Sequence, residues 1–357
     1  MMYAIFLRIL LGALFLYLPI FVESCSSDFG LRDSVCVLFS NSDPKCWGRN
    51  DKGQLGYEST NHVGDDVYEL GIYLPTIDLG DVGTVSSLSS RYDHTCALFS
   101  FSFSAKCWGD NQYGQLGYGD TNERGDDPGE MGDYLKEVSL GSGAEVSQIR
   151  VGTFHSCSRS SFGFLKCWGF NPDGQLGYED SSIRGDGANQ MGDYLEVVNV
   201  GSGVVIQDLF LGGFQTCITT STLNLKCFGL GFFGNLGYGD IESRGDESLE
   251  MGDYLPYINL GLGVEVTKLA NFQSSTCIIS SQLFLKCFGL NPLGQLGYGD
   301  GSDRGDDPGE MGEYLPIVLL GVGRTVLDVA LGNSHTVFFL FIFFFINFSQ
   351  VLSKAFK

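Results

Sequence analysis

Apolar positions along this chain fall into short runs that return at a fixed interval. In the first kind of run, two apolar residues stand three apart in a half-polar setting. Val146-Ser147-Gln148-Ile149 is one copy, matched by Ile206–Leu209, Val266–Leu269 and Val326–Val329. That spacing suits neither a strand nor a helix cleanly, but β-branched content and flanking glycines point to a strand. A Gly or Asn follows each copy (Gly152, Gly212, Asn271, Gly332) and turns the chain. The second run is His94-Thr95-Cys96-Ala97-Leu98-Phe99, repeated as His155-Ser156-Cys157 and Thr216-Cys217-Ile218. The third reads KCWG or KCFG. Serine-rich tips, such as Ser100 to Ser104 and Ser158 to Phe164, join the second run to the third, which predicts a hairpin. The fourth piece begins at a GQLGYGD turn and crosses an acidic, glycine-rich loop and EMGDYL. It ends in an expected strand such as Tyr257-Ile258-Asn259-Leu260, and Gly143, Gly203, Gly263 and Gly323 close the units.

The Cys of the third run falls at Cys46, Cys107, Cys167, Cys227 and Cys287, with spacings of 61, 60, 60 and 60. A period that regular predicts stacked structural repeats. Four short strands per unit, with no long helical pattern, predict an all-β fold in which each unit is one blade of a β-propeller. A lone four-stranded sheet cannot bury both faces, so its neighbours must cover it. Five near-complete blades lie near residues 29–83, 84–143, 144–203, 204–263 and 264–323, with a partial unit at 324–336. The first lacks a clear opening strand, whereas Val326 to Leu331 is an extra one, followed by Ser334-His335-Thr336. Either that strand completes the first blade and closes a five-membered ring, or the chain is an arc of a larger ring with unpaired end strands.

The two ends read differently from residues 25–336. Arg8 and the apolar run Ile9 to Val22, ending at Val22-Glu23-Ser24, match a cleaved secretory signal over residues 1–24. The alternative is an uncleaved membrane anchor over Tyr3 to Val22. The expected setting is therefore secreted or cell-surface, with any membrane contact made only through the termini. Residues 337–357 replace the repeat with VFFLFIFFFINF and a polar tail. We read them either as translated from outside the repeat-coding region or as a short anchor, since twelve residues are too few to span a bilayer comfortably.

Charge narrows the partners. Lys+Arg number 21 and Asp+Glu 42, a net charge of -21. Such a surface repels a phosphate backbone, so nucleic acid is set aside and a protein partner of unknown identity is expected. Glycine, at 50 of 357 residues, is mostly periodic and marks turns rather than disorder.

His94-Thr95-Cys96-Ala97-Leu98 and Lys106-Cys107-Trp108-Gly109-Asp110-Asn111, followed by Gly114-Gln115-Leu116-Gly117, resemble the regulator of chromosome condensation repeat family. The resemblance runs from about Phe29 to Thr336. It implies a propeller of seven blades, about two more than are visible here. The founding member is a nuclear exchange factor for a small GTPase that docks on chromatin. No residues matching that activity stand out, and the resemblance to secreted and protein-binding members is the better guide.

Ten cysteines form five pairs on predicted hairpin arms: Cys36/Cys46, Cys96/Cys107, Cys157/Cys167, Cys217/Cys227 and Cys277/Cys287. Facing residues of an antiparallel pair lie close enough for a disulfide, and a secretory setting permits one. The resemblance implies the pair as well, since family members carry it. The alternative is that both stay reduced as small buried hydrophobes. Cys25 is left over. His94, His155 and His335 share one repeat slot with Gln215 and Ser275, which we read as turn hydrogen bonding and not catalysis. Trp47, Trp108 and Trp168 share a slot with Phe228 and Phe288, read as interblade packing. RGD triplets at Arg124–Asp126, Arg184–Asp186, Arg244–Asp246 and Arg304–Asp306 offer a candidate receptor-binding loop. The competing reading is a glycine turn with Arg paired to a nearby acid. The same loops carry Asp120, Glu123, Asp126, Asp127, Glu130 and Asp133, a candidate weak calcium site or a solvated acidic rim. No catalytic set, metal site or other cofactor is expected.

The reading is a non-enzymatic protein-binding scaffold. The alternatives are a cytoplasmic exchange-factor-type regulator of a small GTPase and a calcium-dependent adhesion module.

Overall fold

The ambiguous three-residue spacing has a simple origin. In the computed structural model, each opening strand carries a register shift near its first apolar residue, as between Val146 and Gln148 or between Val266 and Lys268. A bulge adds one residue to one strand, so side chains three apart face the same side. Val146 and Ile149 are accordingly both buried. The structure describes residues 34–322, 324–332 and 336–342, with 337–342 taken as backbone only. The signal-like segment Met1–Ser24, Cys25, Gly323, His335 and residues 343–357 of the tail lie outside the described residues.

Among the described residues there are four three-stranded antiparallel sheets and two two-stranded ones. The first is β1 (Ser34–Leu38) with β2 (Pro44–Gly48). Next come β3 (Val85–Arg91), β4 (His94–Phe99) and β5 (Ala105–Gly109), then β6 (Val146–Val151), β7 (His155–Ser160) and β8 (Leu165–Gly169). The fourth holds β9 (Ile206–Leu211), β10 (Gln215–Thr220) and β11 (Leu225–Gly229), and the fifth β12 (Val266–Phe272), β13 (Ser275–Ser280) and β14 (Leu285–Gly289). The sixth pairs β15 (Arg324–Leu331) with β16 (Thr336–Ile342). The extra opening strand thus begins a sixth sheet instead of joining β1, and part of the phenylalanine-rich run supplies the strand beside it. Among the described residues, short 3₁₀ turns such as Gly132–Tyr134 are the only helical elements.

The fourth expected strand is built differently from a ladder strand. Tyr257-Ile258-Asn259-Leu260 is not a strand, and its segment is tied to the sheet by one bond from Ile258 N–H to the Leu225 carbonyl at 2.9 Å. An isolated bridge, Gly229 to Arg244, ties the other end of β11. A tyrosine seals the edge between them. In the second blade the Tyr118 hydroxyl accepts from Cys107 N–H at 3.0 Å and lies 3.0 Å from the Lys136 carbonyl. Tyr57, Tyr178, Tyr238 and Tyr298 hold the same place.

The core lies between blades. One cluster joins Cys96, Leu98, Cys107 and Leu116 of the second blade to Ile149, Val151, Trp168 and Met191 of the third. Within each hairpin the two cysteines face one another, as Cys217 faces Cys227 and Cys36 faces Cys46. All five pairs are disulfide-bonded, with Cα atoms 4.1 Å apart.

Candidate functional site at the turn end of the blades

Repeat slots with a stacking job make the same bond in several successive blades. His94 Nε2 lies 3.0 Å from Ser156 Oγ of the next blade, and His155 Nε2 lies 3.1 Å from Thr216 Oγ1. Ser156 Oγ already donates to the Gln115 carbonyl at 2.8 Å, so it accepts from histidine, which fixes the proton on Nε2. Gln215 repeats the link to Thr276 at 3.2 Å. At His94, His155 and Gln215 the slot therefore bonds one blade to the next, where the sequence suggested a bond within a turn; Ser275 bonds the Leu290 carbonyl of its own blade. Burial pushes His94 and His155 down to about 3, which keeps both neutral. Trp108 and Trp168 are fully buried, and their Nε1 atoms donate to the carbonyls of Gln54 and Gln115 in the preceding blades. The lysines of the KC motif supply a further tie that no sequence signal singled out. Lys106 is 2 % exposed and donates to the carbonyls of Leu79 and Gly132, tying two closing segments together. Burial holds its pKa below the ordinary value.

The RGD triplets belong to the same stacking. Arg124 pairs with Asp120 at 2.8 Å and lies 5.0 Å from the Tyr118 ring. Arg184, Arg244 and Arg304 pair with Asp180, Asp240 and Asp300 at the same distance. These arginine side chains are only 17 to 21 % exposed. Their glycines lie against the preceding blade: a Cβ on Gly125 would sit 2.8 Å from the Gly53 carbonyl oxygen, and one on Gly185 2.7 Å from that of Gly114. Asp126, Asp186, Asp246 and Asp306 each keep one buried carboxylate oxygen at this contact. The other loop acids serve as caps. Glu130 accepts from Gly125 N–H and Asp127 N–H, and Glu58 reaches across to Gly129 N–H and Met131 N–H. Among the described residues, no group of three or more His, Cys, Asp or Glu is gathered to hold a metal ion.

Other slots vary between blades, and their residues gather at one end, where the opening strand turns into the hairpin and the KC strand leaves it. Tyr92 and Tyr113 of the second blade, Phe154 and Phe170 of the third and Phe214 of the fourth form one connected group of rings. Phe154 touches Tyr92, Tyr113, Phe170 and Phe214 at centroid distances of 5.4 to 6.1 Å. Tyr113 and Phe170 are closest, at 4.4 Å. All five rings are half-buried, so each keeps a solvent-facing part. Leu230 continues the pattern, its N–H bonded to the Phe214 carbonyl as that of Phe170 is to Phe154.

Beside this seam, the first and second blades put charge in the same slots. Arg49 binds Asp93 at 2.6 Å and Asp51 at 2.5 Å, and Lys52 binds Glu123 at 2.6 Å. Asp93 is pushed up to about 6 by burial, against the pull of Arg49 and with the repulsion of Asp110 adding to it. The result is a surface with an aromatic half and a charged half. A comparison of the repeats slot by slot carries the signal for it: Arg49, Asp110, Phe170, Leu230 and Leu290 share one place after the motif glycine.

Comparison with known proteins places this architecture. Residues 107–158 match the family model described as the regulator of chromosome condensation (RCC1) repeat. The ultraviolet-B receptor UVR8 of Arabidopsis thaliana is 26% identical over 77% of this chain and 55% of its own length. The probable E3 ubiquitin-protein ligase HERC4 of Homo sapiens is 28% identical over 67% of this chain, but this chain spans only 20% of that protein. Among solved structures, human WBSCR16 aligns over 87% of this chain and 70% of its own, with a TM-score of 0.64 and 20% identity. Prp20p of Saccharomyces cerevisiae, described with its binding to Gsp1p and histones, aligns over 91% and 70% with a TM-score of 0.64 and 14% identity. At such identities the structural likeness speaks for the fold.

Proposed function

We propose that this chain, whose residues 107–158 match the RCC1 repeat, uses its blades as a frame for whatever their variable slots present and is a non-enzymatic scaffold that binds a protein partner through the aromatic seam and its charged flank. One observation carries the reading. The residues without a stacking role assemble five half-buried rings from three blades next to the Arg49–Asp93 and Lys52–Glu123 pairs. Aromatic anchors beside a polar rim are the usual makeup of a protein-binding patch. An acidic chain of net charge -21 also suits a protein partner better than nucleic acid. The setting we propose is secreted or cell-surface; five disulfides and the signal-like first 24 residues support it.

Selection of ligands from a random peptide library tests the site. Enriched peptides should lose binding to Phe170→Asp and Leu230→Asp proteins and keep it with Leu262→Asp, an exposed position in a closing turn at the far end of the blades. Peptides indifferent to positions 170 and 230 would reject the seam. A second reading, a regulator of a small GTPase, rests on the resemblance of the repeats and not on the structural likeness. Faster nucleotide release from such a GTPase on adding this protein would favour it, and an unchanged rate would leave the scaffold reading.

A further inference from the structure

Four internal interfaces show what this fold places on a blade's glycine turn. A Cβ on Gly53, Gly114, Gly174 or Gly234 would strike the RGD backbone of the next blade at 2.2 to 2.4 Å. A Cβ on Gly56, Gly117, Gly177 or Gly237 would strike the next blade's aromatic ring, Trp108, Trp168, Phe228 or Phe288, at 2.7 to 2.8 Å. The fifth blade breaks the series. A Cβ on Gly294 would meet only the Asp300 carbonyl of its own blade at 3.6 Å, and one on Gly297 only Val318 of its own blade at 3.0 Å. Gly297 is exposed where its four counterparts are buried. A socket of known shape is thus uncovered among the described residues.

The first blade carries the matching knob. Its loop Val63-Gly64-Asp65 stands in the RGD slot, Trp47 in the aromatic slot and Leu70 in the slot of Met131. The parts already sit in their mutual places: a Cβ on Gly64 would lie 3.4 Å from Leu70 and 3.6 Å from Trp47. Glu69 caps Gly64 N–H at 2.6 Å, as Glu130 caps Gly125 N–H at 2.9 Å. Yet among the described residues the outer side of the knob stays open. Leu70 is 46 % exposed and Ile72 91 %, whereas Met131 is 3 % exposed. The strand count agrees. Among the described residues, β1–β2 has no opening strand beside it and β15–β16 no KC strand. An opening strand from one end and a hairpin from the other make one blade of the internal kind.

We propose that the fifth-blade turn of one copy receives the first blade of a second copy of this chain, head to tail. β1 of the arriving copy takes the place beside β15 that β16 holds in the single chain, giving the order β15–β1–β2. The Gln295 carbonyl, which Thr336 Oγ1 reaches at 2.5 Å, then takes its donor from Trp47, as Gln54 does from Trp108. Val35 stands in the hydroxyl slot of the first blade, so the indole is the donor that blade can offer. Knob and socket are different surfaces, so the contact is heterologous and leads to rings or open chains, not to a twofold dimer.

Sedimentation velocity on the full chain, from low to high micromolar, tests this with three variants. The parent should gain mass with concentration. Leu70→Asp should weaken association about tenfold or more by putting a charge into the apolar knob. Gly297→Asn should do likewise: asparagine tolerates the left-handed backbone at φ 81°, and its Cβ meets the arriving indole. Each of these two keeps one working surface, so mixing them should restore pairs that neither forms alone. Gly299→Glu should tighten association about tenfold, because Glu58 and Glu179 at that slot already cap the next blade's loop. A parent that stays monomeric throughout overturns the proposal, whether the socket is covered by the chain's own termini or by nothing. So does association that ignores all three substitutions. Neither result touches the seam, which the peptide selection reads separately.

Discussion

His94 shows how a single residue can be structural and still set a pH response. In the fold it is buried, neutral and bonded to Ser156 Oγ, and burial pushes its pKa down to about 3. In the unfolded chain a histidine titrates near 6.5. Between those values the unfolded state binds the extra proton. The stability contributed by this residue is therefore complete above about pH 6.5 and is lost as pH falls toward 3. Asp93 acts in the opposite sense. Its folded pKa, raised to about 6 by burial, makes its contribution fade as pH climbs from the ordinary carboxylate range through 6. Gln215 fills the histidine slot two blades on and makes the same bond without titrating. We therefore expect His94→Gln to shrink the loss of unfolding free energy between pH 7 and pH 5 by about 2 kcal/mol. Urea titrations at the two pH values measure it, and an unchanged pH dependence would contradict the buried neutral histidine.

The hairpin is the element most plainly written in the sequence. Cysteine pairs ten or eleven residues apart, on β-prone runs joined by a serine tip, became facing residues in every copy. Closing a loop of ten residues removes enough unfolded-chain entropy to stabilise the fold by roughly 2–3 kcal/mol. Replacing Cys217 and Cys227 together by Ala should lower unfolding free energy by about that amount, seen in denaturant melts without reductant. A parent protein whose melt does not respond to reductant would count against the bridges. The fourth segment was harder to read. Ile258 and Leu260 alternate as in a strand and are buried, but strand periodicity reports which side chains point inward, not whether the backbone has a ladder partner. Here the tyrosine clamp and single backbone bonds supply the partner, and no local pattern encodes them.

At the scale of the whole molecule, recurring loops serve the contact between blades before any ligand. Arg124, Arg184, Arg244 and Arg304 each hold an aspartate and a tyrosine ring of their own blade. Changing all four to Ala should lower the melting temperature and leave cell adhesion to the immobilised protein unchanged. Adhesion lost while the melting temperature holds would restore the receptor reading of the triplets. The same view bears on curvature. Arg91 of β3 donates to the Asn271 carbonyl of β12 at 3.2 Å, a bond between inner strands three blades apart. Chain order alone does not announce it.

Repetition alone determined the unit, its length, its hairpin with facing cysteines and the need for neighbours. These follow from local alternation and from the inability of one small sheet to bury both faces. Tertiary structure decided what the histidine, tryptophan and RGD slots do, because their partners lie one blade away, some 40 to 60 residues along the chain. It also decided where Tyr92, Phe154, Phe170 and Phe214 meet. Residues from successive repeats become one surface only when stacking brings their turns together, and that juxtaposition belongs to the stacked blades and to no segment of them.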